Sequence, residues 1–316
     1  MPNSSYKIEV HTISNRILLD EFIQMWENVL VDNIDCTIKV LTMDYPEKKF
    51  VLNNGIKVEY IKQRTSWKTT FMNQAWARNE LLCYSDVNNI TNKYILFFDD
   101  WQKPEQHILI KHLEYLKMEY SVCGKRFECD KDGNNCKNDY RDTGGYGHVR
   151  QCGYGEFWTC NSSTKLDYIM RVNGFDNRFN GGTAGEDYDM AMRISKLGGT
   201  ASSFIYNPNA ISYHYCHDHL SSRRKDNIQN DGHSHNTSDY KYIPEYKHFG
   251  KWDNMDGKDK YEFWWEGPIK YYKCKICDDI GILDSMQVYY HNRDNNIIRV
   301  TNGLEQVRET LKKVIG

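Results

Sequence analysis

Proline and glycine are scarce, with 6 and 21 residues in a chain of 316, which excludes a collagen-like or low-complexity polymer. No stretch approaches the ~18 consecutive apolar residues that a membrane span requires. Neither sign of charge dominates: 41 Lys and Arg stand against 43 Asp and Glu, a formal net charge of −2. That balance does not announce a nucleic-acid binder. Residues Met1 to Ser5 lack the basic and apolar segments of a secretory leader, and no internal repeat is visible. What is abundant is aromatic, at 14% with 23 Tyr and 8 Trp, ample for a core and for stacking surfaces. At roughly 100–200 residues per domain, one large domain, or one large and one small, is expected.

The ten cysteines allow two readings. An even count can be a disulfide framework, but that suits small secreted chains. A chain of this size builds its own core, so free buried thiols or a metal site are expected, and a cytoplasmic protein. Cys274-x-x-Cys277 has the spacing of half a structural Zn2+ site. His291, Cys216 or the group Cys123, Cys129, Cys136 and Cys152 could complete it. Sequons at Asn89, Asn161 and Asn236 carry little weight without secretion.

Alternation of Ile8, Val10 and Thr12 predicts a strand over Lys7–Ile13. Leu18, Phe22, Trp26 and Leu30 predict a helix ending near Asn33. Strands follow at Cys36–Thr42 and Ile56–Ile61, a helix at Thr69–Tyr84, and a wholly apolar strand, Tyr94–Phe98, that stops at Asp99-Asp100. This order implies a mostly parallel sheet covered by helices on both faces. Ligands of such sheets bind beyond the strands' carboxyl ends, which makes Thr12–Asn15, Asp44 and Asp99-Asp100 neighbours.

Further on, residues 105–118 read as helix, Glu119–Cys129 as strand and Asp130–Gly147 as a long loop. A calcium reading of that loop fails, since the third acid and terminal glutamate are missing. Phe157–Asn161 reads as strand, leading to a helix capped by Thr164. A helix opens at Glu186 with Met190, Ile194 and Leu197 buried, and Gly198-Gly199 ends it. A strand at Ala210–Tyr215 leads to His214, His217 and His219. The organisation expected is a catalytic domain over 1–220, a linker or lid over 221–260, and a small extension over 261–316 holding the CxxC pair and a terminal helix.

Two acidic pairs carry the chemistry. Asp99 and Asp100 raise each other's pKa, a conflict that a divalent ion bearing a diphosphate would relieve, with oxygen ligands suited to Mg2+ or Mn2+. They could equally cap the helix that follows Pro104. Glu186-Asp187 opens a helix, where carboxylates are favoured anyway. The preceding run Gly181-Gly-Thr-Ala-Gly185 would admit a ligand closely, and a carboxylate there could serve as a general base. Of His214, His217 and His219, only one needs to reach that ion.

Arg78-Asn79 followed by Tyr94-Ile-Leu-Phe-Phe-Asp-Asp100 resembles the first half of the signature of A-type glycosyltransferases, especially family 2. Asn173-Gly-Phe-Asp176 with Gly185-Glu-Asp-Tyr-Asp189 and Arg193 is similar to their acceptor half and to the C-terminal module of galactosyltransferases. The resemblance spans roughly residues 6–220. It implies the A-type α/β sandwich with a mostly parallel central sheet and a small C-terminal extension. It also implies an inverting, metal-assisted transfer from a nucleoside-diphosphate sugar, UDP-sugar favoured, to an acceptor hydroxyl. On these positions Thr12, Asn15 and Asp44 hold the nucleoside, with Arg78 in the donor site. Asp99 and Asp100 bind ribose, diphosphate and Mn2+ or Mg2+, and His214 completes the metal site. Asp187 is the general base, Glu186 holds the acceptor, and Trp158 faces it.

Trp101 departs from this pattern by standing where the motif's last acid belongs. Either Asp100 takes over as ligand, or metal binding weakens, or the indole packs beside the donor. The acceptor is open among a glycan, a protein and a modified nucleobase; the balanced charge does not favour nucleic acid. Two rival readings remain: a degenerate transferase or zinc-stapled binding protein, and a nucleotidylyltransferase. The second lacks its phosphate loop, because His11-Thr-Ile-Ser-Asn15 contains no glycine.

Overall fold

The computed structural model describes residues 6–14, 19–42, 45–65, 74–87, 90–130, 132–138, 147–177, 186–215 and 297–315, and the backbone of 261–266, 269–274 and 280–283. The first half runs β1 (Tyr6–Ile13), α1 (Leu19–Gln24), β2 (Ile34–Thr42), β3 (Lys48–Val51), β4 (Lys57–Lys62), α2 (Gln74–Cys83) and β5 (Lys93–Phe98). Then come β6 (Gln102–Pro104), α3 (Ile108–Leu116), β7 (Ser121–Cys129), β8 (Lys137–Asn138) and β9 (Arg150–Cys152). They are followed by β10 (Asn161–Lys165), α4 (Leu166–Arg171), α5 (Glu186–Ser195) and β11 (Phe204–Tyr215). After β12 (Tyr261–Glu266), β13 (Ile269–Cys274) and β14 (Ile280–Leu283), which form a small antiparallel sheet of their own, the chain closes with α6 (Leu304–Ile315).

The large sheet is ordered β3-β4-β2-β1-β5-β10-β7-β11-β6, with β8 beside β7 and β9 beside β11. β4, β2, β1 and β5 pair in parallel; β10 runs against both β5 and β7, and β11 is parallel to β7. Six strands of the path therefore share one direction, as a mixed α/β sheet with helical crossovers requires. Their carboxyl ends form a single edge, which carries Ser14, Asp99, Cys129 and Tyr215.

Period-two alternation divides the core between the faces. Leu96 and Phe98 join Ile8, Val10, Ile38, Val40 and Trp26 on one face, with Ile108 and Leu109 of α3. Ile95 and Phe97 join Leu166, Ile169, Phe175, Met190 and Ile194 on the other. Glu9, Lys39 and Lys93 share this interior with His11, whose imidazole burial holds below its ordinary pKa. Glu9 contacts His11 and Lys39 at 3.2 Å each, lies 3.8 Å from Lys93, and accepts the Ser85 hydroxyl. Burial pushes the Glu9 carboxyl up, but those partners bring it down to about 2.

Several expectations change. The helix expected from Leu18 is α1 alone, followed by a single 3₁₀ turn over Met25–Asn28, and the chain turns at Asn33 with φ 62°. β3, unmarked by any alternation, forms an edge hairpin with β4. The strand expected at Phe157–Asn161 begins at Asn161 and continues to Lys165. Thr164 is inside it, hydrogen-bonded to the Ser121 hydroxyl at 2.7 Å rather than capping α4. Asn161 itself is buried, which removes it as a glycosylation acceptor.

The cysteines also depart from expectation, because Cys129 and Cys136 form a disulfide. Asp130 draws the intervening loop tight, accepting the amides of Asp132 and Asn134 at 3.1 and 2.7 Å and the Asn135 side chain at 2.8 Å. This brings Cys136 back onto the end of β7. The free-thiol argument for the cytoplasm does not extend to this pair, although Cys36, Cys83, Cys123 and Cys152 are free thiols. Among the described residues, no helix is long and apolar enough to cross a membrane.

Candidate active site

β5 is buried along its whole length and delivers Asp99 and Asp100 to the edge. Two neighbours fasten this end. The Thr12 hydroxyl donates to the Phe98 carbonyl at 3.0 Å, and the Ser14 hydroxyl donates to Asp100 Oδ2 at 2.7 Å. Thr12 is thus buried between β1 and β5, while Ser14, which the sequence did not single out, touches the acid. Trp101 packs its indole on Phe22, with ring centroids 4.8 Å apart, and its carbonyl accepts the Tyr215 amide at 3.0 Å. The motif's last position has been given over to packing. Asn15, Asp44, His217, His219 and Cys277 lie outside the described residues, as does the side chain of Cys274.

Asp99 meets a cation from the chain itself. Arg126 Nη1 donates to Asp99 Oδ2 at 3.2 Å, and the same guanidinium holds Glu128 through Nε at 3.0 Å and through Nη2. The other oxygen of Glu128 lies 2.8 Å from Nδ1 of His214. Burial alone would push the Glu128 carboxyl up; His214 and Arg126 hold it well below the usual carboxylate range. Asp99 and His214 are therefore joined through two residues of β7. Among the described residues, no three His, Cys, Asp or Glu side chains come together as a metal cage.

The second motif half is built around a turn. Asn173 and Gly174 both take positive φ, 63° and 68°. Asn79 of α2 closes the turn by donating to the Phe175 carbonyl and to Asn177 at 2.8 Å each, and by accepting the Phe175 amide at 2.9 Å. Below it, Arg193 is wholly buried. It donates to Asp189 at 2.8 and 2.9 Å, to the Val172 carbonyl at 2.6 Å and to the Gly174 carbonyl at 2.7 Å. The segment before α6 grips the same turn: Asn173 Nδ2 donates to the Val300 carbonyl at 2.8 Å, and Asn177 Nδ2 to the Gly303 carbonyl at 2.9 Å. α6, expected in the extension, packs Val307 and Leu311 against Trp76 of α2.

This turn leads to α5, whose first residues are Glu186 and Asp187. Asp187 accepts the Thr159 amide at 3.3 Å and the Tyr188 amide at 2.7 Å, so its carboxylate is held beside the segment that carries the half-buried Trp158. Tyr154 and Tyr188 pack edge to face, 5.0 Å between centroids, on the same side. Glu186 is buried. Burial first, then the charges of Asp187 and Asp99, raise its carboxyl to about 7, with Arg78 pulling the other way. The two halves of the motif, 87 positions apart at Asp99 and Glu186, thus share one electrostatic field.

Arg78 belongs to this field. It is 8% exposed, rests over Phe97 and Phe175 at 5.9 Å from each ring, and its Nε has no hydrogen-bond partner among the described residues. A buried guanidinium with an unanswered donor is costly and is a ready anion site.

No family model matches this chain, and no curated protein matches it. Among solved structures it is similar to GalNAc-T7 with UDP, GalNAc and Mn2+, at 11% identity and a TM-score of 0.49 over 68% of this chain and 45% of that one. It is also similar to S. aureus TarS 1-349 with UDP-GlcNAc, at 10% identity and a TM-score of 0.47 over 68% and 61%. The chain spans about half the length of the first and about three fifths of the second.

Proposed function

We propose that this protein is a glycosyltransferase that moves a sugar from a nucleoside-diphosphate sugar, a UDP-sugar by preference, to an acceptor hydroxyl with inversion. What carries the reading is the buried Arg78 with its unanswered Nε, which together with Asp99 and Asp187 is among the charges that act on Glu186. A strand-end acid, a helix-opening acid pair and a cation seeking an anion suit a diphosphate on one side and a hydroxyl on the other.

Thr12, Asn15 and Asp44 hold the nucleoside, Thr12 by tying β1 to β5 beneath it. Arg78 faces the diphosphate. Asp187, fixed by two amides, takes the acceptor proton while the acceptor oxygen attacks the anomeric carbon and the bond to the diphosphate breaks. Glu186 holds the acceptor. Trp158, Tyr154 and Tyr188 offer the apolar ring faces that a glycan acceptor would use.

Asp99, Asp100 and His214 are the residues that would hold a divalent cation, although among the described residues no three His, Cys, Asp or Glu side chains come together and Asp99 is paired with Arg126. Asp99 and Asp100 are hard oxygen ligands, and His214 has the arrangement of a ligating histidine whose other nitrogen is held by a carboxylate. Mn2+ or Mg2+ held there would be bound through hard oxygen donors. Its chemistry is to neutralise the departing diphosphate. Zinc at Cys274 and Cys277 has no part in this reading.

The test is a thermal-shift series with UDP, GDP and dTDP and their sugars, each with and without Mn2+. A ligand bound only by the folded chain raises Tm by mass action. One nucleotide is expected to stabilise the protein, more strongly with Mn2+. No shift with any of them, in folded protein, overturns the proposal.

A further inference from the structure

The Cys129–Cys136 bridge lies against the site without belonging to it. Cys129 ends β7 and is buried, whereas Cys136 is exposed on the loop that returns to β8. Among the described residues little else holds that loop. Residues 134–138 are all exposed, and β8 is two residues long, pairing Lys137 and Asn138 with Glu128 and Phe127. Asp130 gathers the turn, but the bonds its carboxylate accepts stay inside it. The loop's inner side nevertheless meets the site's edge. Gly133, at φ 79°, lies on the ring of Tyr215, where a Cβ would stand 2.8 Å from the ring carbon Cζ. Tyr215 closes β11. Its amide donates to the Trp101 carbonyl at 3.0 Å, and its ring meets Phe22, on which Trp101 also packs. Trp101 directly follows Asp99 and Asp100. The bridge thus closes a loop that braces Tyr215, and Tyr215 fastens the Asp99–Trp101 turn.

We propose that Cys129–Cys136 is a thiol–disulfide exchange site, opened by a dithiol reductant at the exposed Cys136 sulfur, and that its opening loosens the Asp99–Trp101 turn. A thiolate of the reductant attacks Cys136 Sγ. The S–S bond breaks, and its electron pair leaves on Cys129 Sγ, which takes up a proton. The reductant's second thiolate then displaces Cys136 Sγ from the mixed disulfide, and Cys136 is protonated in turn. The protein gains two electrons and two protons, and the reductant becomes a disulfide. Exposed bridges are the kind that exchange in this way. Once open, the loop is held by Asp130 and two ladder residues, the sparse, solvent-exposed bonding that opens locally while the rest of a fold stays intact. The loosening follows from these contacts alone; its effect on UDP rests on the glycosyltransferase reading above. A bridge that is only a staple predicts something else. Its reduction would lower Tm by freeing the unfolded chain, with the folded edge unchanged.

The test is amide hydrogen exchange and UDP calorimetry on the full chain, before and after dithiothreitol. Cys136→Ser and Cys129→Ala/Cys136→Ser are measured beside the wild type. Reduction is expected to speed exchange of the Tyr215 amide about tenfold, as a local opening confined to this edge requires, with β5 unchanged. UDP affinity should fall about fivefold, the lower end of ordinary coupling between sites. Cys136→Ser should exchange and bind like the reduced wild type, and dithiothreitol should then change nothing further. Equal exchange at Tyr215 in the two redox states overturns the proposal. So does a dithiothreitol effect that persists in the double variant, which would belong to other cysteines. A looser Tyr215 with unchanged UDP affinity overturns the link to the donor site. UDP bound by neither state overturns the transferase reading, and exchange at Tyr215 then decides the bridge by itself.

Discussion

Asn79 and Gly174 are shaped to one another: the Asn79 Oδ1 that accepts the Phe175 amide would lie 2.2 Å from any Cβ placed on Gly174. The first half of the motif thereby locks the backbone of the second. With φ at 68°, Gly174 is also a position that side chains rarely tolerate.

Gly174→Ala should therefore destabilise the fold by about 2–4 kcal/mol, from backbone strain together with the displaced amide. Urea unfolding would register it as a lower midpoint at an unchanged m-value. A variant as stable as the wild type would mean that the turn yields more easily than its contacts suggest.

Arg193→Met should cost about 3–5 kcal/mol, because Asp189 would be left buried without its counter-charge. The Val172 and Gly174 carbonyls would lose their donor as well. Arg193→Met/Asp189→Leu should recover part of that loss, since the stranded carboxylate goes with it. Equal stability of the single and double variants would contradict the ion-pair account.

Much of this was legible from the residues, and the failures have physical causes. β5 announces itself, since a buried parallel strand is a continuous apolar run ending where the acids begin. β10 does not: the strand is expected to end at Asn161, and Thr164 reads as the cap of the next helix. Its polar groups are satisfied only by long-range partners, His112 on Ser163 and Asn161, and Ser121 on Thr164. Asp99, Glu186 and Asp187 were visible as acids at element boundaries. Arg126 and Glu128 were not, because Arg-x-Glu along a strand looks like an ordinary solvated face until its neighbours are known. The Cys129–Cys136 disulfide was hidden similarly, its closure depending on the side chain of Asp130.

Glu186 makes stability depend on pH in a definite sense. Its carboxyl, ordinarily near 4.5, sits at about 7 in the folded protein. Between those values the folded chain holds a proton that the unfolded chain releases, so this contribution is full below 4.5 and is lost as pH rises through 7. Glu186→Gln should therefore be more stable than the wild type at pH 8, by on the order of 2–3 kcal/mol, and nearly equal to it at pH 4.5. Thermal melts of both proteins across that range decide it; a constant difference would exclude a titrating Glu186.

Asp187→Asn keeps the contacts to Thr159 and Tyr188 sterically feasible while removing the proton acceptor. Transfer should fall about 10²–10⁴-fold, with the UDP-induced rise in Tm preserved. A variant that turns over like the wild type would take the base role away from Asp187.

Arg78→Met removes a buried charge that has an unanswered donor. It should weaken UDP binding about tenfold, as losing one charge-assisted contact implies, without lowering the Tm of the free protein. A drop in Tm with unchanged UDP affinity would make Arg78 a structural residue.

The grip of the α6 segment on the Asn173–Asn177 turn imposes an order on the making of this protein. Asn173 and Asn177 bond to residues about 126–132 positions downstream, contacts that carry a large loop-closure cost. On the ribosome, a nascent chain that has reached β11 already holds every strand of the large sheet, together with Asp99, Arg126, Glu128 and His214. Its Asn173–Asn177 turn stays unbraced until Val300 to Gln306 have emerged. The sheet's carboxyl edge can therefore assemble well before that turn is secured, and translation itself sets the interval between them.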